Sequence, residues 1–168
     1  GEDYRFKFKE VEGAPFMKTY LNEYDEALKY FKQAYQVNDQ SCAVMCNIGA
    51  VYTAKCDYEE AKYYLTRSLE SNETPQAHYN IGVVYALEGN YSEAIKHFDM
   101  AGDNPKIMYN KGLVKLLQGN VVGAEEDLKT FVEHYPDIAE GYYVLAIVGA
   151  RTDDRQMVEE NLAKACQM

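Results

Sequence analysis

The sequence predicts an all-α chain built from repeated helix pairs. Two patterns predict this, and their shared register strengthens the case. The first is a small residue, a bulky apolar one four later and a small one three further on. It occurs as Ala27-Phe31-Ala34, Ala61-Leu65-Ser68, Ala94-Phe98-Ala101, Ala124-Leu128-Phe131 (third place large) and Val158-Leu162-Ala165, at steps of 34, 33, 30 and 34 residues. The second, Asn47-Ile48-Gly49-Ala50-Val51-Tyr52, returns as Asn80-Ile81-Gly82-Val83-Val84-Tyr85. Weaker copies are Asn110-Lys111-Gly112-Leu113-Val114-Lys115 and Val144-Leu145-Ala146-Ile147-Val148-Gly149, at the matching steps of 33, 30 and 34. Apolar residues at these spacings share one face of a helix. A self-repeat of this length marks an architecture of stacked units.

Taken in order, residues 1–12 hold Tyr4-Arg5-Phe6-Lys7-Phe8-Lys9-Glu10-Val11, which alternates like a strand. A lone strand on a helical array would be unpaired, so this stretch reads as an extended arm or as part of a preceding unit. Gly1 reads as a cloning scar or a processing end, and the periodic pattern runs uncapped to Met168, as in a piece of a longer protein. Gly13 and Pro15 degrade the first unit, and Pro15 would open a short helix over 15–21. Turns are expected at Asn22-Glu23-Tyr24, Cys56-Asp57-Tyr58, Gly89-Asn90-Tyr91, Gly119-Asn120-Val121 and Asp153-Asp154-Arg155. Gly or Asn ends a helix in the left-handed conformation, and Asp or Asn caps the next one. Glu60 and Glu93 follow Asp57 and Asn90 at capping-box spacing. Gly49, Gly82, Gly112 and Ala146, facing Ala61, Ala94 and Ala124, would let the two helices of a pair approach closely. Gly102-Asp103-Asn104-Pro105 should end the second helix of the third unit about one turn early.

Composition excludes several functions. With 168 residues the chain is one domain's length, and its net charge of −10 opposes nucleic acid or anionic lipid as the main partner. The longest apolar run, Val144-Leu145-Ala146-Ile147-Val148, is too short to span a bilayer. No nucleophile-elbow, phosphate-loop, dinucleotide or HExxH motif occurs, so no catalytic residue, cofactor or metal is assigned. His78 fits a packed slot, while His97 and His134 fall near ends of second helices. Glu59-Glu60, Glu125-Glu126-Asp127 and Glu159-Glu160 read as solvated faces. Cys42 and Cys46 share a helix face, as buried small hydrophobes or as a metal or redox pair. Lys111 and Lys115 stand where other units have apolar residues, either as charges presented to a partner or as lysines reaching water through a gap left by the short helix.

These patterns resemble the tetratricopeptide repeat (TPR) family, carried most closely by Met45, Ile48, Gly49, Tyr52, Ala61 and Leu65, and by His78, Ile81, Gly82, Tyr85, Ala94 and Phe98. The resemblance implies a right-handed α-α superhelix of about five helix-turn-helix units, the first degenerate, in a single domain over 1–168. The units are placed at 8–41, 42–74, 75–104, 105–138 and 139–168. It also implies a non-catalytic protein-interaction module, a scaffold or adaptor, whose first helices line a concave groove for a peptide or protein segment. Asn47, Asn80 and Asn110 correspond to family asparagines that hold peptide backbone, a task suited to a carboxamide that both donates and accepts. Tyr79, Tyr109 and Tyr143 precede the corresponding positions, and Val83 and Leu113 follow them, so the groove would favour apolar ligands. The acidic surface would favour basic ones. The family's carboxylate clamp is not expected, because its lysine slots hold Cys46 and Tyr79, although Lys106 and Arg151 lie nearby. Two alternatives remain open. One is a structural spacer or self-association element, homo-oligomer included, of a larger bacterial envelope protein. The other is a regulatory region of an enzyme whose catalytic domain lies elsewhere. Cytoplasmic and periplasmic or envelope-associated settings both fit.

Overall fold

Short polar side chains set the helix starts. Ser41, Thr74, Asn90, Asn104, Asn120 and Asp154 each accept the backbone N–H three residues on. Each thereby satisfies one of a helix's orphan donors. Asp57 holds the same position but makes no side-chain cap, so only the second of the two expected capping boxes has its cap bond. Helix ends follow the expected turns: Cys56, Gly89, Gly119 and Asp153 share one register position and have φ of 64°, 83°, 91° and 56°.

The computed structural model describes the backbone of residues 17–168 and the side chains of residues 23–168. The described residues form nine helices and no strand. They are α1 Met17–Val37, α2 Cys42–Ala54, α3 Tyr58–Ser71, α4 Pro75–Leu87, α5 Tyr91–Ala101, α6 Pro105–Gln118, α7 Val121–His134, α8 Ala139–Arg151 and α9 Arg155–Cys166. The fold is all-α, as predicted. The segment 4–11, Gly13 and Pro15 lie outside the described residues. Two compact units divide the chain, Gly1–Glu88 and Gly89–Met168.

One expected turn is absent. Helix α1 runs unbroken through Asn22-Glu23-Tyr24. The reason lies at the capping register, where Asp57, Asn90, Asn120 and Asp154 correspond to Glu23. Glu is a sound helix former and lacks the short reach of a cap.

In the first unit α2 packs between α1 and α3, α4 follows on α3, and α2 lies beside α4. Leu28, Ile48, Ala61, Leu65, Ala77, Ile81 and Val84 form the core. Gly49 explains the close approach of α2 and α3, since an added Cβ would sit 2.5 Å from Leu65 Cγ. Its partner is therefore the leucine rather than the alanine of the repeating pattern. Tyrosines fill the outer layer: Tyr64 stacks on Tyr52 at 5.9 Å and takes Tyr35 edge-on at 5.7 Å.

In the second unit each helix packs on the next from α5 to α9, and α6 lies beside α8. Leu116, Ala124, Leu128, Val144, Leu145 and Val148 form the core. Gly112 repeats the contact of Gly49, its Cβ position lying 2.8 Å from Leu128 Cγ. Helix α5 has 11 residues against 14 for α7, so the early stop at Gly102 holds. Lys111 and Lys115 follow neither sequence reading. Lys111 forms an ion pair with Asp99 of α5, and Lys115 Nζ lies 2.6 Å from Asp127 Oδ2 of α7. Asp127 is thus half-buried and paired, not part of a solvated face.

Candidate interaction surface

The first helices of the pairs, α2, α4, α6 and α8, carry every groove position predicted from sequence. On the first unit Asn47 and Val83 are half-buried, while Tyr79 and Asn80 are only 5% and 4% exposed. The Asn80 carboxamide works inside the protein. Its Nδ2 donates to Cys46 Sγ at 3.1 Å, and its Oδ1 accepts from Gln76 Nε2 at 3.3 Å. The sequence left this bond unread, yet it carried a signal: Cys46 and Asn80 lie one repeat and one residue apart on neighbouring first helices. Burial pushes the Cys46 thiol up from 9.0 to about 11, opposed by the Asn80 bond and reinforced by Cys42 nearby. A thiol held protonated is a poor metal ligand and a poor nucleophile. Among the described residues no group of three His, Cys, Asp or Glu is placed to hold a metal ion, and the four cysteines are free.

On the second unit Asn110 is buried, while Tyr109 and Leu113 are half-buried on α6. Tyr109 leans on Phe131 of α7, with ring centroids 5.9 Å apart. Tyr143 on the adjacent α8 is 57% exposed. Arg151 donates to the Leu116 carbonyl at 3.0 Å, closing the end of α6, so this cation has a structural task. His78 is buried, as the packed-slot reading expects, with Nε2 3.3 Å from Glu73 Oε1. A cleft of about 300 Å³ opens among α7, α8 and α9, floored by Val132, Leu145 and Met157 and rimmed by Lys129, Glu160 and Lys164. None of the described helices is long and apolar enough to cross a membrane.

A stack of paired helices with capped tight turns, glycine-mediated contact within pairs and a recurring two-helix register defines the class. Residues 75–101, which hold α4 and α5, match the tetratricopeptide repeat family model. Solved TPR-type structures superpose along most of the chain. MamA from Desulfovibrio magneticus RS-1 gives a TM-score of 0.80 at 17% identity, over 99% of this chain and 95% of that one. YrrB, described as a TPR protein with an unusual peptide-binding site, gives 0.72 at 20% identity, over 99% and 92%. The Cut9–Hcn1 hetero-tetramer of the APC/C gives 0.77 at 17% identity, over 86% of this chain and 29% of that one. No curated protein matches by sequence. The chain is a tetratricopeptide-repeat protein.

Proposed function

We propose that this TPR chain is a non-catalytic scaffold or adaptor that holds a peptide or protein segment against the exposed faces of its first helices. The TPR fold is that of a protein-interaction scaffold, and this reading adds a surface and a ligand class. One observation carries it. Helix α8 buries seven of its 13 residues yet leaves the Tyr143 ring largely in water. Beside it lie Tyr109 and Leu113 of α6. An aromatic anchor next to apolar neighbours is the usual core of a binding surface. On the first unit Asn47 and Val83, with Tyr79 and Asn80 behind them, form the corresponding face. YrrB's described peptide-binding site and Cut9's place in a hetero-tetramer support a ligand that is itself a polypeptide. The net charge of −10 favours a basic or neutral segment with apolar side chains.

The asparagines would take unequal shares. Asn47 is the open one of the three, and Asn80 would exchange its Gln76 partner for a peptide amide. The test is a peptide selected from a random display library on the immobilised chain, its affinity read by fluorescence polarisation. Tyr143→Ala should weaken it about tenfold or more with an unchanged melting temperature, since an exposed ring contributes to binding and not to the core. Asn47→Ala should cost a few-fold. Selected peptides that bind both variants as well as the parent would refute the reading.

A further inference from the structure

Helix α9 leaves open the face that earlier second helices cover. Ala61, Leu65 and Ser68 of α3 are each 0% exposed beneath α4, and Ala124, Leu128 and Phe131 of α7 are 0–1% exposed beneath α8. At the same register on α9, Val158 and Ala165 are half-buried and Leu162 is 40% exposed. No residue of α9 is buried.

We propose that this face of α9 docks one amphipathic helix of a partner protein, continuing the stack in trans. The covered copies define the occupant's chemistry. On α3 the seated helix presents Ala77, Ile81 and Val84, and on α7 it presents Gly141, Leu145 and Val148. The small residue is a steric requirement, because a Cβ on Gly141 would lie 2.7 Å from the Phe131 ring. The partner helix therefore carries Gly or Ala, then Ile or Leu four residues on, then Val three further. A second copy of this chain is not the occupant. Each first helix described here, α2, α4, α6 and α8, already seats this side on the preceding second helix. Charge adds a further mark. Lys62, next after Ala61, reaches Glu88, four residues past Val84, at 3.1 Å. The residue next after Val158 is Glu159, so the partner helix should carry Lys or Arg four residues past its Val. A cation there also suits a helix C-terminus.

The probe is a labelled peptide with the sequence of residues 74–90, cross-linked on its outer side because a free helix this short is marginal in water. It is made with Glu88 and with Glu88→Lys, and anisotropy is read against the whole chain. The Lys form should bind saturably, and Leu162→Glu should weaken it about tenfold or more by placing a charge in an apolar contact. Leu162 already stands in water, so this variant keeps the parent melting temperature, and Ala165→Glu should give the same loss. Glu159→Gln should reduce the preference for the Lys form a few-fold. Tyr143→Ala should leave this binding unchanged, separating it from the first-helix surface. No saturation at millimolar chain, equal binding by Leu162→Glu, or dilution-dependent self-association through Leu162 in sedimentation would overturn the proposal.

Discussion

At the residue scale, Cys46 and Asn80 show how a candidate binding asparagine can also be a structural one. Cutting Asn80 to Ala removes the amide donor to a buried thiol and the acceptor for Gln76. A lost buried hydrogen bond of this kind costs about 1 kcal/mol. Thermal or urea denaturation of Asn80→Ala should show it, whereas Asn47→Ala should not. The thiol also makes stability depend on alkaline pH. Its pKa is near 9.0 unfolded and about 11 folded, so the folded state holds its proton longer. The stabilisation is complete below pH 9 and is lost as pH rises from 9 toward 11, to a total of about 2–3 kcal/mol. Tyrosines and lysines titrate there too, so the measurement is the difference between parent and Cys46→Ala. That difference should narrow across the window, and a constant difference would remove the thiol as its source.

Elements depend on the turns and on the glycines that let paired helices touch. Cys56 sits at φ 64° in the register position that Gly89 and Gly119 fill. Cys56→Gly should stabilise the chain by about 0.5–1 kcal/mol, the relief of a left-handed residue less the glycine's own entropy. Gly49→Ala and Gly112→Ala should destabilise by about 1–3 kcal/mol, because Leu65 and Leu128 are fully buried and cannot swing clear. Trimming Leu65 to Val should recover part of the Gly49→Ala loss, which a double-mutant cycle would reveal. The legibility of the sequence divides along the same line. Turns at Gly89 and Gly119, the short α5 and the glycine contacts could all be read, because each is a local steric rule written in one or two residues. The missing turn in α1 could not, because Asn22 permits a turn and only the poor cap at Glu23 decides against one. The lysine pairs of α6 also escaped, since Asp99 and Asp127 become partners only once helices are packed.

For the whole molecule, the repeat period carried nearly all of the fold class, and the TPR match at 75–101 falls on one of the two units in which both patterns are strongest. The surface was less legible. Periodicity tells which positions turn toward a first-helix face, but not how far each sinks into it. Tyr79 and Tyr143 are alike in register, yet they are 5% and 57% exposed. The acidic surface adds a prediction at this scale: association with a basic peptide should slow as salt rises from about 50 to 300 mM, while an apolar neutral peptide should respond little. Stopped-flow association rates would separate the two.

The most direct measurement is amide chemical-shift mapping of the isotope-labelled chain with its selected peptide bound. Shifts concentrated on α2, α4, α6 and α8, with Asn47, Val83, Leu113 and Tyr143 among the largest, are the predicted result. Shifts confined to the second helices, with these four residues unmoved, would contradict a first-helix binding surface.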